Sequence, residues 1–229
     1  PKDVLVADIH PLNLVVLIAE KPSTENISNL PLFGIEDGNF MQHNDRPGLM
    51  TKREIRIQLL AELELPQEGV LWDIGAGVGS VGLEALRLRP NLKLMAIEKR
   101  VGASALLHEN AKRLSVKPAA IIESEALEIL NNLDFPRNLF SPDRVILGGG
   151  GFHRNQLLKL IIKKLNHGGI VVVPLVTLEA ASELTAILRS TGCELNVSQH
   201  QHWRGVPLSS GTRLMPLNPV YILKAKVLK

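Results

Sequence analysis

Between residues 69 and 190, short apolar runs alternate regularly with amphipathic stretches, and this alternation limits the fold more than any other feature. The runs "GVLWDI", "LKLMAIE", "AAIIE", "DRVILGG" and "GIVVVPLV" read as buried strands. Each is followed by a helical pattern: "SVGLEALRLR", "GASALLHENAKRL", "ALEILNNL", "NQLLKLIIKKL" and "LEAASELTAILRS". Repeated strand–helix units predict an α/β fold with a doubly wound parallel sheet and helices on both faces. The chain ends differently. "ELNVSQHQ" and "PVYILKAK" are separated by no helical pattern, only by the loop-like "HWRGVPLSSGTRLMPLNP". Two such strands should pair antiparallel, giving a mostly parallel seven-stranded sheet with a C-terminal antiparallel hairpin.

Upstream, "MTKREIRIQLLAEL" is a helix with Ile55, Leu59 and Leu63 on one face. Thr51 and Glu54 have the spacing of a capping box at its start. Residues 12–19, "LNLVVLIA", read as one isolated strand, and the polar, proline-flanked stretch 20–31 as a linker. The expected organisation is a remnant of a preceding domain over residues 1–31 and one α/β domain over 32–229.

The first strand of the alternation runs into "DIGAGVGSVG". Such a turn, between strand and helix at a topological switch point, is where open α/β sheets bind ligands. Glycines let the backbone approach a ligand without a Cβ in the way. Gly77, Gly79 and Gly82 also fit the dinucleotide fingerprint G-x-G-x-x-G, a weak signal alone. Asp73 tips the reading the other way. A carboxylate at the mouth of the turn does nothing for a phosphate but suits a cationic ligand. The turn resembles the first motif of Rossmann-like, class I S-adenosylmethionine (SAM)-dependent methyltransferases, whose ligand carries an ammonium and a sulfonium. Glu98, ending the second strand, is placed to accept from ribose hydroxyls with either ligand. Glu125 or the backbone of Ala126, after the third strand, is placed to meet an adenine edge. The helix dipole alone would also favour an acid there.

Composition removes several classes. Cys193 is the single cysteine, so an intramolecular disulfide and a cysteine-based zinc site are excluded. His200 and His202 alternate, without acidic or thiol partners nearby in sequence, and read as surface or packing residues; no metal is expected. Aromatic residues make up 3% and no dense Lys/Arg cluster is present, which speaks against nucleic acid as a partner. No apolar run approaches the about 20 residues that span a bilayer, so no membrane is expected and a cytoplasmic location is. A net charge of +3 suits an anionic substrate or a nucleic acid and is too small to choose between them.

Four further motifs narrow the resemblance: "G-I-x-D-x-x-F" at 34–40, "M-T-K-x-E-x-R" at 50–56, "V-T-L-E" at 176–179 and "R-G-x-P-L-x-x-G-x-R-L-x-x-L-N-P-V" at 204–220. Together with the glycine turn they resemble, over nearly all of residues 32–225, the decarboxylating precorrin carbon-15 methyltransferases of cobalamin biosynthesis. The resemblance implies SAM contacts at Thr51, at Gly75, Ala76, Gly77, Val78 and Gly79, at Glu98 and at Ala126, beside the Asp73 and Glu125 of the residue reading. Where relatives have Gly-Asp-Ala before the fourth helix, this chain has Ser124-Glu125-Ala126. Where many have "GGSGG" after the fourth strand, this chain has "GGGGF", which removes a hydroxyl.

The resemblance further implies an anionic tetrapyrrole substrate whose carbon 15 is itself the nucleophile, with loss of the ring C acetate as carbon dioxide. The macrocycle is then its own electron sink, and no catalytic acid–base residue is assigned. Arg204, Arg213, Lys52 and Arg46 are the candidate carboxylate-binding cations. A homotetramer is expected from the family, as is fusion to a carbon-5 methyltransferase domain, of which residues 1–31 would be the tail. The rival expectations are a SAM-dependent tRNA methyltransferase, a non-catalytic subunit of the same fold, and an NAD-dependent oxidoreductase.

Overall fold

A computed structural model describes residues 29–43, 50–131, 137–149 and 151–228. The expected strand at 12–19 and its linker lie outside the described residues. Five strand–helix units run in chain order. They are β1 (Glu68–Ile74) with α2 (Ser80–Leu88), β2 (Asn91–Glu98) with α3 (Ala103–Arg113), β3 (Ala120–Glu123) with α4 (Ala126–Asn131), β4 (Arg144–Leu147) with α5 (Arg154–Lys164), and β5 (Ile170–Leu175) with α6 (Leu178–Ser190). They are preceded by α1 (Arg53–Glu62) and followed by β6 (Glu194–His200), β7 (Trp203–Leu208), β8 (Gly211–Pro216) and β9 (Val220–Lys226).

Seven strands form one sheet in the order β3-β2-β1-β4-β5-β9-β6. The first five are parallel, and β9 inserts antiparallel between β5 and β6, as expected. Order reverses between β1 and β4, which opens the crevice at their carboxyl ends.

Side chains alternate across this sheet and build two cores. Trp72, Met95, Val145 and Val171 pack with Leu157 and Ile161 of α5 and Leu184 and Leu188 of α6. Leu71, Leu94, Ile146 and Val172 pack with Leu59 of α1 and with Val81, Leu83 and Leu86 of α2. The β-branched and leucine-rich strands bury both faces, as a sheet covered on both sides requires. Truncating one of these leucines to alanine should cost about 2–5 kcal/mol. Buried Trp72 also needs a partner for its indole N–H, and Nε1 donates to the Leu139 carbonyl at 2.8 Å.

Two local expectations are corrected. Helix α1 starts one residue later than a Thr51 cap requires: Lys52 is its N-cap and makes no side-chain capping bond. Asp37 takes over from a distance, its Oδ1 accepting from the Arg53 N–H at 3.0 Å. Glu54 is drawn away to Arg204 instead. The stretch between β6 and β9 is not a plain loop. It contains β7 and β8, paired with each other alone as a separate two-stranded ribbon. Pro207 and Pro216 conceal these strands in sequence, since proline removes a ladder donor. It is tolerated where a strand has one unpaired edge.

Candidate functional site

The cleft at the carboxyl ends of the strands has a volume of about 730 Å³. Its floor is the glycine turn. Gly75, Gly77 and Gly79 all have left-handed backbone, with φ of 74°, 58° and 81°. Each has a different reason. A Cβ on Gly75 would strike the Gly149 backbone at 2.5 Å, and one on Gly79 would strike Leu107 of α3 at 2.2 Å. A Cβ on Gly77 would meet nothing within 4 Å. At Gly77 the turn therefore faces open cleft, while Gly75 and Gly79 are fixed by packing.

The N–H groups of Gly75 and Ala76 both donate to the Ile97 carbonyl, at 2.8 and 3.1 Å. One strand over, Glu98 Oε2 accepts from the Gly77 N–H at 2.9 Å and Oε1 from the Arg100 N–H at 3.1 Å. These bonds lock the carboxylate at the lip of the cleft. Each of its oxygens keeps lone-pair capacity for a further donor. Ser124, Glu125 and Ala126 line the cleft beyond it. Glu125 is paired with Lys99 at 3.3 Å. Ala126 opens α4, where the first N–H groups of a helix have no partner within it.

Three expected contacts are placed elsewhere. Asp73 does not line the cleft. It shares a sheet face with Leu71, so its side chain points under α2, where Oδ2 accepts from the Gly82 N–H at 3.0 Å. Only glycine at 82 permits this approach, since a Cβ there would lie 2.8 Å from that oxygen. Burial pushes the Asp73 carboxyl up to about 7; the Gly82 N–H pulls it down, and Glu98 adds to the rise. Val78 is buried, its carbonyl accepting from Asn110 Nδ2 at 2.9 Å. Gly79 caps α2 away from the cleft.

The candidate cations divide similarly. Lys52 lines the cleft beside Thr51. Arg46 lies outside the described residues. Arg204 does not line the cleft. Its Nε and Nη2 grip Glu54 at 2.8 and 2.7 Å, and Nη2 also reaches Asp37 at 3.1 Å. That pairing holds the Glu54 carboxyl down at about 2, against desolvation, and raises Arg204 above the ordinary arginine range. Arg213 is exposed on β8, away from the cleft.

Beneath this pairing lies buried Arg56, which sequence reading passed over. Its Nε donates to Glu84 Oε1 at 2.6 Å and its Nη1 to the Thr51 carbonyl at 2.7 Å, and Nη2 binds the Ile35 carbonyl. Glu84 in turn accepts from the N–H groups of Gly34 and Ile35, at 2.6 and 3.1 Å. The "G-I-x-D-x-x-F" and "M-T-K-x-E-x-R" motifs are thus the two halves of one buried polar network beside the cleft.

Two histidines were also missed as cleft residues. His43 and His202 both line it, each with a buried, unpartnered Nε2. His200, by contrast, pairs with Ser198 on β6 at 2.9 Å. The leucine and asparagine of "L-N-P-V" were a usable signal for this wall, since Leu217 and Asn218 line the cleft with His202. Among the described residues, no three metal-ligating side chains cluster.

Comparison with known proteins gives a consistent result. A family model described as "Precorrin methyltransferase domain" matches residues 42–226. A probable cobalt-precorrin-6B C(15)-methyltransferase (decarboxylating) of Pyrobaculum aerophilum is 36% identical over 194 residues, 84% of this chain and 95% of the relative. A precorrin-6Y C(5,15)-methyltransferase [decarboxylating] of Sinorhizobium sp is 31% identical over 77% of this chain but only 40% of its own length. The crystal structure of a precorrin-6Y C5,15-methyltransferase from Geobacter metallireducens superposes with a TM-score of 0.77 at 30% identity, over 86% of this chain and 99% of that one.

Proposed function

The chain belongs to the precorrin methyltransferase domain family, and we propose that it methylates carbon 15 of a precorrin-6B-type tetrapyrrole, using SAM, with loss of the ring C acetate as carbon dioxide. The observation that carries the SAM reading is the pairing of Gly77 with Glu98. The turn opens to the cleft where a Cβ would find only space, and a fixed carboxylate stands beside it. That arrangement fits a nucleoside: ribose hydroxyls can donate to Glu98, and the adenine edge can reach Ala126 and Glu125. Bound there, SAM supplies an electrophilic methyl group.

The protein's own part is placement. Thr51 and Lys52 at the start of α1 and Leu217 and Asn218 before β9 line the same cleft as the glycine turn. A planar macrocycle held among them would present one meso carbon towards the turn. Positioning of this kind lowers the methyl-transfer barrier, and the nucleophilic carbon needs no base to activate it. Lys52 is the favoured carboxylate anchor on position. Arg204 acts through the fold, by tying the β7–β8 ribbon to α1. Asp73 likewise acts through the turn, by fixing α2 behind it.

The wider calls rest on the relatives and the surface. Fusion to a carbon-5 methyltransferase domain is proposed from the Sinorhizobium relative, of which this chain matches one part. Self-association as a homotetramer is supported by exposed apolar residues on the ribbon, with Trp203 at 53%, Leu214 at 69% and Met215 at 44% exposure. Among the described residues no helix is long and apolar enough to cross a membrane. A cytoplasmic location is proposed with the biosynthetic role. The family match does not favour the tRNA methyltransferase alternative. Incubation of the protein with precorrin-6B and SAM tests the whole reading. The expected product has gained one methyl group and lost one carbon dioxide by mass. Unchanged precorrin-6B would refute it.

A further inference from the structure

Decarboxylation leaves a proton to be supplied. When the acetate loses carbon dioxide, a carbon–carbon bond breaks and its electron pair enters the conjugated macrocycle. The pair then returns to the methylene carbon, which takes up one proton and becomes a methyl group. We propose that His202 is the catalytic residue that delivers this proton, from Nε2. The proposal rests on the carbon-15 reading of the cleft. In the step, the imidazolium N–H bond breaks as the new C–H bond forms, and the neutral imidazole recovers its proton from solvent.

The cleft narrows the choice to this side chain. Of its titratable groups, Glu98 is held by two backbone N–H groups, Glu125 and Lys99 are paired with each other, and Lys52 at the start of α1 is the carboxylate anchor. Arg100 is an arginine and does not give up a proton in proteins. His43 has an unpartnered Nε2 but stands over the glycine turn: Met41, two residues before it, is clasped by Asn110, which also holds the Val78 carbonyl. That is the half of the cleft a SAM molecule would fill. His202 stands on the other half, beyond the end of β6 at the far edge of the sheet from β3.

Its backbone is fixed on both sides. The His202 carbonyl accepts from the Leu217 N–H at 2.8 Å, and Arg204, two residues on, is clamped by Glu54 and Asp37. Its Nε2 is nonetheless buried and without a partner. A buried polar atom left unmatched calls for an explanation, and a ligand that completes the bonding is one. Imidazole is the side chain best suited to give and regain a proton near neutral pH.

The test compares wild type with His202→Asn and His202→Gln, using precorrin-6B and SAM. It reads formation of the ring C methyl product in single turnover, S-adenosylhomocysteine affinity by calorimetry and tetrapyrrole affinity by absorbance titration. The proposal predicts that both affinities stay within about twofold while formation of the methyl product falls about 100-fold or more, the usual contribution of a general acid. Should His202→Asn fail to fold, His202→Gln is read in its place. Formation of the methyl product at close to the wild-type rate overturns the proposal. So does a loss of tetrapyrrole affinity that accounts for the lost turnover, which would make His202 a binding residue. If wild type binds S-adenosylhomocysteine but leaves precorrin-6B intact, the carbon-15 reading falls and takes this proposal with it.

Discussion

Gly75 and Gly149 meet backbone to backbone: a Cβ on Gly75 would stand 2.5 Å from both N and Cα of Gly149, and one on Gly149 2.9 Å from Gly75 Cα. The glycine turn after β1 and the glycine run after β4 are therefore one device. Two strand ends come closer than side chains allow, and the cleft floor is their joint surface. Gly75→Ala should cost about 2–4 kcal/mol, from the clash and from its left-handed backbone together. Gly77→Ala bears only the backbone penalty, about 1–2 kcal/mol. Urea unfolding of the two variants side by side checks this ordering, and equal losses would contradict it.

Asp73 makes stability depend on pH in an unusual direction. Its carboxyl rises from 3.8 to about 7 on folding, chiefly through burial. The folded chain then holds the proton where the unfolded chain has lost it. This contribution is full below the unfolded value and is lost as pH rises from about 4 to about 7. A shift of about three pH units corresponds to about 4 kcal/mol. Asp73→Asn keeps an acceptor for the Gly82 N–H and removes the charge. Its midpoint of unfolding should flatten between about pH 4 and about pH 7 relative to wild type, by the linkage relation. A parallel pH dependence in both proteins would show that Asp73 is ionised when folded.

Arg204 ties the β7–β8 ribbon to α1 rather than meeting an anion. Both partners are partly exposed, so Arg204→Ala should cost only about 1 kcal/mol of global stability. The local effect should be larger. Amide hydrogen exchange across residues 203–216 should speed up while the parallel strands keep their protection. Unchanged exchange in the ribbon would mean that contacts other than this pair hold it.

The Arg56–Glu84 pair is wholly buried, with both side chains at 0% exposure. Arg56→Met leaves Glu84 charged and short of a partner, which should cost about 3–5 kcal/mol. Thr51 loses its tether at the same time, because Arg56 Nη1 holds its carbonyl. Thermal unfolding should register the loss, and a near-neutral result would contradict it.

The sheet was legible because its pattern is local: apolar runs of strand length alternate with helical periods, and each side of a strand buries a predictable residue. The same rule held information about Asp73 that went unused. Asp73 sits two residues after Leu71 and shares its face, so period two already aimed it under α2. The ribbon was concealed because Pro207 and Pro216 argue against strands in the usual setting. Arg204 could not be read at all. Its partners are 150 and 167 residues away, and only the folded topology shows that its charge is spent. His202 was obscured by His200, since the two look alike in sequence until the end of β6 separates them.

The most direct test of the account is calorimetric titration of the protein with S-adenosylhomocysteine, with NAD as the control, on wild type and Gly77→Val. The account predicts saturable binding to wild type, no heat with NAD, and loss of binding in Gly77→Val, whose side chain would enter the open cleft above the turn. Binding of NAD in place of S-adenosylhomocysteine, or undiminished binding to Gly77→Val, would contradict it.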